Sequence, residues 1–328
     1  MSKAIEEKID KIPIVNWVAR LLKKVKLSAF EGLSLYALIE MYLSGILKGA
    51  MSSRAGAIAF SLFMALFPLM IFLVTLLPFI IPYVPMEPGE SFEKEFLVFL
   101  ESFLPTATGD YFEEIFIQIK DQKRGGLLSS TFVLSIFLVA NGVNAIFAGF
   151  ENSYHVNLTR NFFRQYAYAL MVGIILSTML IISAIFFIYS EIHIVEYASD
   201  FAAKTYNANI DDADLLGAQI AKVIFFILLS YFTTAILYYF GTAEGKQAKF
   251  FSAGALMTTL LFLFTSYLFG VYVEKFARYN ELYGTLGGLL ILMVFIWLNS
   301  NILLLGFELN ATLNALRNNI NKKNEELL

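Results

Sequence analysis

The sequence predicts an all-α membrane protein: a polytopic helix bundle with six transmembrane helices plus interfacial amphipathic helices. Apolar residues make up 58% of the 328 residues with glycine left out, whereas soluble domains reach about 45 to 50% with glycine included. Charged residues fall to 16%, against about 25% in soluble proteins. Six stretches without Asp, Glu, Lys or Arg are long enough to cross a hydrocarbon core, which takes about 20 helical residues.

Residues 1–50 are predicted to form a basic cytoplasmic segment with one interfacial amphipathic helix. The first 26 residues hold seven Lys or Arg and no long apolar core, so we expect no cleavable signal there. In 33–48, Glu40, Ser44 and Lys48 recur every fourth residue on an otherwise apolar helix, which favours a position in the membrane interface. If Glu40 instead lay within the bilayer, this segment would be a seventh span.

Residues 51–314 are predicted to form the transmembrane domain, followed by a polar cytoplasmic tail at 315–328. Pro68 predicts a kink in the first span, and the prolines from Pro78 onwards predict its end near Ile81. The six charge-free runs are Ala55–Met86, Gly125–Phe150, Gln165–Ser190, Val223–Ala243, Phe250–Val273 and Leu282–Phe307.

The connections between the spans predict the orientation. The short connections 151–164 and 244–249 hold four Lys or Arg, as many as the much longer 191–222 and 274–281 together. Because Lys and Arg favour cytoplasmic loops, both termini are expected to be cytoplasmic. The protein is therefore expected in a bacterial inner (cytoplasmic) membrane.

The outer connections are predicted to be acidic. In 82–124, apolar residues recur at spacings of three and four with glutamates between them, which predicts two short amphipathic helices on the outer face. Near 207–214, Asp211, Asp212 and Asp214 offer oxygen ligands for calcium, but the spacing fits no EF-hand loop. A solvated acidic turn is the favoured interpretation.

The reactive side chains in the sequence are few. Cysteine is absent, and His155 and His193 are the only histidines, on opposite sides of the membrane in the predicted topology. No metal site, cofactor site, catalytic dyad or nucleotide-binding motif is predicted. The formal net charge of −3 gives no general attraction for nucleic acid. We expect a protein that is not an enzyme.

The last span carries three short motifs rich in glycine, asparagine and aromatic residues, and the first span runs from Arg54 through alanines into Leu66-Phe67-Pro68. The three motifs are Tyr283-Gly284-Thr285-Leu286-Gly287-Gly288, Trp297-Leu298-Asn299-Ser300-Asn301 and Leu305-Gly306-Phe307-Glu308-Leu309-Asn310. These segments resemble the YihY/virulence-factor BrkB family of bacterial inner-membrane proteins, formerly mislabelled ribonuclease BN. The resemblance covers most of residues 50–314, departs from the family in 241–249, and implies six spanning helices and no assigned reaction.

Six uncharged polar residues are predicted at one level of the bundle, roughly 9 to 14 Å from the cytoplasmic ends of their helices at about 1.5 Å per residue. One interpretation is interhelical hydrogen bonding, which is common in membrane bundles. The other is a polar, inward-facing cavity that holds part of a substrate. Asn299 and Asn301 point in different directions, so they cannot both face one cavity. The candidate cavity residues are Asn141, Asn144, Thr258, Thr259, Asn299 and Asn301.

Four charged residues near the inner boundary are candidate headgroup contacts. The two arginines could bind a phosphate, although solvation at the interface also explains such charges. They are Glu151, Arg160, Arg164 and Glu308. Gly284 and Gly288 form a G-x-x-x-G pair that predicts close helix packing.

Three functions compete on this evidence. A carrier that transports or flips a lipid or other envelope amphiphile explains a bundle with no energy-coupling motif. A non-catalytic membrane scaffold for envelope assembly explains the same bundle if the polar level is dry. A ribonuclease fails for lack of a metal-ligand set and a basic groove. Expected partners are membrane lipids, a second copy of the chain or envelope proteins, and no nucleic acid.

Overall fold

The computed structural model describes Tyr36, Glu40 and residues 50–80, 125–153, 156, 160–206, 210–243, 250–276 and 285–325. Most of 33–48, where an interfacial helix is predicted, and most of 241–249 lie outside these residues. The whole of 82–124, where two amphipathic helices are predicted, also lies outside them. Within the described residues there are six long helices and no strand. They are α1 Met51–Ile80, α2 Gly125–Glu151, α3 Phe162–Tyr206, α4 Ile210–Gly241, α5 Ala253–Phe276 and α6 Thr285–Glu325.

Each of these helices contains a stretch that is long and apolar enough to cross a membrane. The prediction of an all-α protein with six such helices is confirmed. The charge-free runs identified the apolar stretches but not the helix ends. The stretch 191–222, predicted as an outer connection, continues α3 to Tyr206 and restarts as α4 at Ile210, because glutamate and lysine are good helix formers. Asp211, Asp212 and Asp214 lie in the first turns of α4 rather than in a turn between helices, where acidic residues favour the helix N-terminus.

The six helices form a closed ring. Each helix packs against the next along the chain, α6 packs back against α1, and α2 also reaches α4. The largest group of buried residues lies towards one end of this ring, where Ile58, Phe147, Val172, Ala255 and Leu304 are almost completely buried. We call this the Arg54 end, because Arg54 of α1 contacts Gly149 of α2 and Glu308 of α6 there.

Candidate functional site

A cavity of about 420 Å³ lies inside the ring, and all six helices contribute to its wall. Its size falls within the range of small-molecule sites, about 300 to 1,000 Å³. The lining residues are Leu62, Ala65, Leu66, Leu69, Val139, Val143, Ile146, Leu176, Thr233, Thr234, Leu237, Phe262, Leu292, Phe295, Ile296, Asn299, Ser300 and Leu303.

The wall of this central cavity presents a mainly apolar surface, although four of its residues are polar. The hydroxyls of Thr233, Thr234 and Ser300 donate to backbone carbonyls of their own helices. The Asn299 amide likewise donates from Nδ2 to the Phe295 carbonyl at 3.0 Å, and its Oδ1 is buried without a partner among the described residues. Because the donors among these groups bond to their own helices, the cavity offers an occupant mainly hydrocarbon surface.

Buried aromatic rings lie between the cavity and the Arg54 end. Phe150 and Phe307 stack with ring centroids 4.2 Å apart, and Tyr238 packs edge-on against both. Phe147 and Tyr238 directly follow the lining residues Ile146 and Leu237. Phe150 and Phe307 come about one helical turn after the lining residues Ile146 and Leu303. We call the four rings the aromatic floor. The floor separates the cavity from the Arg54 end.

Hydrogen bonds hold Tyr238 in place within the floor. Its hydroxyl lies 2.7 Å from the Leu303 carbonyl, to which it donates, and 2.6 Å from Oγ1 of Thr258. Because the Tyr238 proton is used in the bond to Leu303, the Thr258 hydroxyl donates to the Tyr238 oxygen. One hydroxyl pair therefore joins α4, α5 and α6 at the base of the cavity.

Two glycines allow α5 and α6 to cross almost in contact beside this hydroxyl pair. A Cβ atom on Gly306 would overlap Oγ1 of Thr258 and come within 2.5 Å of the Tyr238 hydroxyl. A Cβ atom on Gly254 would overlap the Gly306 carbonyl. Asn310 accepts from the Gly254 amide at 2.8 Å, which satisfies a donor in the first turn of α5. The crossing is therefore specific to glycine at both positions.

Beyond the floor, a buried ion pair links the first helix to the last. Arg54 Nη2 lies 2.8 Å from Glu308 Oε1, and Glu308 is completely buried. Ser153 donates to Glu308 Oε2 at 2.8 Å, and Arg54 Nη1 donates to the Gly149 carbonyl at 2.8 Å. Both carboxylate oxygens are thus bonded. Removing water from two charges is costly, and such a pair is retained only with good geometry and further hydrogen bonds.

Arg160 caps a helix rather than facing open solvent. Its guanidinium donates to the carbonyls of Phe240, at 2.6 Å, and Thr242, at the end of α4. It also lies 4.3 Å from the ring centroid of Tyr168, and its backbone amide donates to Glu151. Burial lowers the pKa of Arg160 below its ordinary value, and the charge of Glu151 offsets part of that shift. The guanidinium stays protonated.

The structure distributes the four predicted headgroup contacts over different roles. Glu308 is buried against Arg54, and Glu151 and Arg160 are partly buried against each other. Arg164 is exposed at the start of α3. The four residues therefore do not present one exposed cationic site.

The structure also separates the six predicted cavity residues. Asn299 is the only one of the six that lines the central cavity. Asn141 is exposed, Asn144 and Asn301 are partly buried outside it, and Thr258 and Thr259 are completely buried within the bundle. The six residues therefore do not share one cavity, because helix rotation turns residues of similar depth to different surroundings. Gly288 is buried in α6, whereas Gly284 lies outside the described residues.

Sequence reasoning did not predict the contacts that join the helices at the Arg54 end. Arg54 and Glu308 each border a charge-free run, which is a signal that they lie near the membrane but not that they pair. Tyr238, Gly254 and Asn310 have no distinctive spacing along the chain. Only the packing of α4, α5 and α6 shows their roles.

Comparison with known proteins agrees with the resemblance seen in the sequence. The chain matches the family described as Virulence factor BrkB over residues 43–327. It is 26% identical over 265 residues to a protein of Bacillus subtilis (strain 168) that is named ribonuclease-like protein YfkH, with 80% of this chain and 89% of that protein covered. It is also 26% identical over 256 residues to a UPF0761 membrane protein of Coxiella burnetii (strain Dugway 5J108-111), with 77% and 84% covered.

A shorter match is closer in sequence. A UPF0761 membrane protein of Tolumonas auensis is 40% identical over 60 residues, which is 18% of this chain and 20% of that protein. No solved structure matches the chain significantly. The family match covers the whole of the transmembrane domain, from the start of α1 to the end of α6. The chain is an integral membrane protein that belongs to the virulence factor BrkB family.

Proposed function

We propose that the protein carries a lipid or another envelope amphiphile across or within the bacterial inner membrane, with an apolar chain of that molecule in the central cavity. The central cavity is the observation that supports this function. Protein interiors are close-packed and tolerate few voids larger than a water molecule. Membrane helices associate mainly through packing, so an unfilled space of this size would forfeit contacts in all six helices.

The lining favours an apolar chain over a polar solute. The hydroxyls and the amide in the wall bond to their own helices. A sugar or a phosphate placed there would lose its hydrogen bonds to water and find too few polar groups in the wall to replace them. A hydrocarbon chain has no hydrogen bonds to lose.

A cavity-filling substitution tests the proposal. Ala65→Phe places a ring in the cavity, and Ala167→Phe adds the same ring at an exposed position of α3. Each variant is reconstituted in vesicles that contain a fluorescent phosphatidylglycerol, and dithionite reports the rate at which the labelled lipid changes leaflet. We expect the rate of lipid exchange by Ala65→Phe to fall about tenfold. An acyl chain that enters the cavity beside the added ring would overpack it, which typically costs about 1 to 3 kcal/mol. The Ala167→Phe rate should stay close to that of the wild type.

Size-exclusion profiles and thermal unfolding of both variants establish that they fold. The proposal fails if wild-type vesicles exchange the labelled lipid no faster than protein-free vesicles and no lipid co-purifies with the protein in native mass spectrometry. That result would favour the second candidate, a non-catalytic scaffold for envelope assembly. The observation that favours the scaffold is the glycine crossing and ion pair at the Arg54 end, which join α1, α2, α5 and α6 firmly.

A further inference from the structure

A second cavity opens on the outside of the ring, between α2 and α3. It has a volume of about 270 Å³, and Leu69 of α1 closes its inner side. We call it the α2–α3 crevice. Its lining residues are Leu69, Phe132, Ser135, Ile136, Val139, Gly173, Ile174, Ser177, Thr178 and Ile181.

The rim of the crevice faces the hydrocarbon region. Phe132 and Ile174 line it and are 45% and 47% exposed. Both lie in the apolar stretches Phe132–Glu151 and Phe162–Phe187, which are long enough to cross a membrane. The chains of bilayer lipids are therefore the molecules that meet this opening.

The crevice and the central cavity share part of one wall. Leu69 and Val139 line both spaces. On the crevice side, Gly173 lets α3 approach so closely that a Cβ atom there would lie 3.3 Å from Cγ1 of Val139. Two aliphatic side chains, which change rotamer without breaking a hydrogen bond, thus stand between the lipid-facing opening and the centre of the ring.

The crevice also holds hydroxyl groups. The Ser135 hydroxyl donates to the Pro68 carbonyl at 2.5 Å. Ser177 and Thr178 form no hydrogen bond within the described part of the chain, not even the common bond to their own helix. A polar group without a partner is costly in hydrocarbon, where water is absent. These two hydroxyls are suited to an ester carbonyl or a hydroxyl that a lipid brings with it.

We propose that the α2–α3 crevice binds a bilayer lipid and is the lateral entrance to the central cavity. The acyl chain lies against Phe132, Ile136 and Ile174, and the polar linkage of the lipid accepts hydrogen bonds from Ser177 and Thr178. Displacement of the Leu69 and Val139 side chains then admits the chain to the centre. The entrance role rests on the proposed function, whereas lipid binding in the crevice does not.

Photo-crosslinking tests both parts. The wild-type protein is reconstituted with a phosphatidylglycerol that carries a diazirine in one acyl chain, irradiated and digested, and the adducts are mapped by mass spectrometry. We expect adducts in α3 near Ser177 and adducts in α6 near Phe295, which lines the central cavity. Adducts near Ser177 that are no more abundant than those at the lipid-facing Leu260 and Phe264 of α5 would overturn the crevice site.

Val139→Trp should obstruct the shared wall. We expect the ratio of α6 adducts to α3 adducts to fall about tenfold, because the larger ring overpacks the wall that must open. Ile182→Trp adds the same ring at a lipid-facing position of α3 and should change neither set. Unchanged α6 adducts in Val139→Trp would overturn the entrance role. If wild-type protein gives α3 adducts but no α6 adducts, the proposed function fails and the crevice site stands.

The hydroxyls are tested in the same assay. Ser177→Ala combined with Thr178→Val removes both donors with little change in volume. We expect the α3 adducts to fall at least about fivefold, the effect of losing one ordinary hydrogen bond. Ser266→Ala, at an exposed position of α5, is the control. Unchanged α3 adducts in the double variant would overturn the role of the hydroxyls.

Discussion

Arg54 and Glu308 form an ion pair of 2.8 Å although they are 254 residues apart in the sequence. The pair joins the start of α1 to α6, within the contact by which the last helix of the ring packs against the first. It also lies beyond the aromatic floor, on the side away from the cavity. Charged residues within membrane helices are costly and usually serve a function, so this pair is the first contact to examine by mutation.

Removing one partner of the pair should destabilise the protein strongly. Glu308→Ala leaves the buried Arg54 without its counter-ion, for an expected loss of about 3 to 5 kcal/mol in the free energy of unfolding. Arg54→Met combined with Glu308→Leu should recover most of that loss, because no buried charge remains. Denaturant unfolding in detergent measures both, with exposed Arg164→Ala as the control. A Glu308→Ala variant as stable as the wild type would contradict the ion pair.

The helix crossing should depend on its glycines. Gly306→Ala forces a Cβ atom into Thr258, so we expect a loss of roughly 3 kcal/mol in unfolding free energy. Gly270→Ala is the matched control in α5, because a Cβ atom there meets nothing within 4 Å. That control should be unchanged or up to about 1 kcal/mol more stable, since alanine favours helix. Thermal unfolding of equal stability for both variants would contradict the close crossing.

The orientation of the bundle is predicted from its basic loops and is open to a direct test. The chain lacks cysteine, so Ser2→Cys, Ser91→Cys and Thr205→Cys each provide one thiol. An impermeant thiol reagent applied to intact cells should label the Ser91 and Thr205 variants but not the Ser2 variant, because both termini are expected in the cytoplasm. Labelling of the Ser2 variant from outside would reverse the orientation.

The ribonuclease-like name of the Bacillus subtilis relative prompts a prediction about activity. We expect the purified protein to cleave no RNA, with or without divalent metal, because the sequence offers no metal-ligand and general-base set. Cleavage of a labelled RNA is measured for the wild type and for the triple variant Asp211→Ala, Asp212→Ala, Asp214→Ala. Metal-dependent cleavage by the wild type that disappears in the triple variant would contradict this expectation.

The sequence alone determined the number of apolar helices and their approximate positions. Hydrophobicity is a property of consecutive residues, so six charge-free runs were enough to locate six helices. It did not locate the helix ends. The helix α3 continues beyond Ser190 through charged residues to Tyr206, since charge decides where a helix leaves the membrane but not where it stops.

Only the tertiary structure decided which face of each helix looks inwards. Asn141 and Asn299 were predicted at similar depth, yet Asn141 is exposed and Asn299 lines the central cavity. Depth follows from counting residues along one helix, whereas orientation follows from how that helix packs against its neighbours. The pairing of Arg54 with Glu308 and the contact of Gly254 with Gly306 arise in the same way. Each contact joins residues that are distant in sequence, and the geometry that joins them exists only when all six helices have closed the ring.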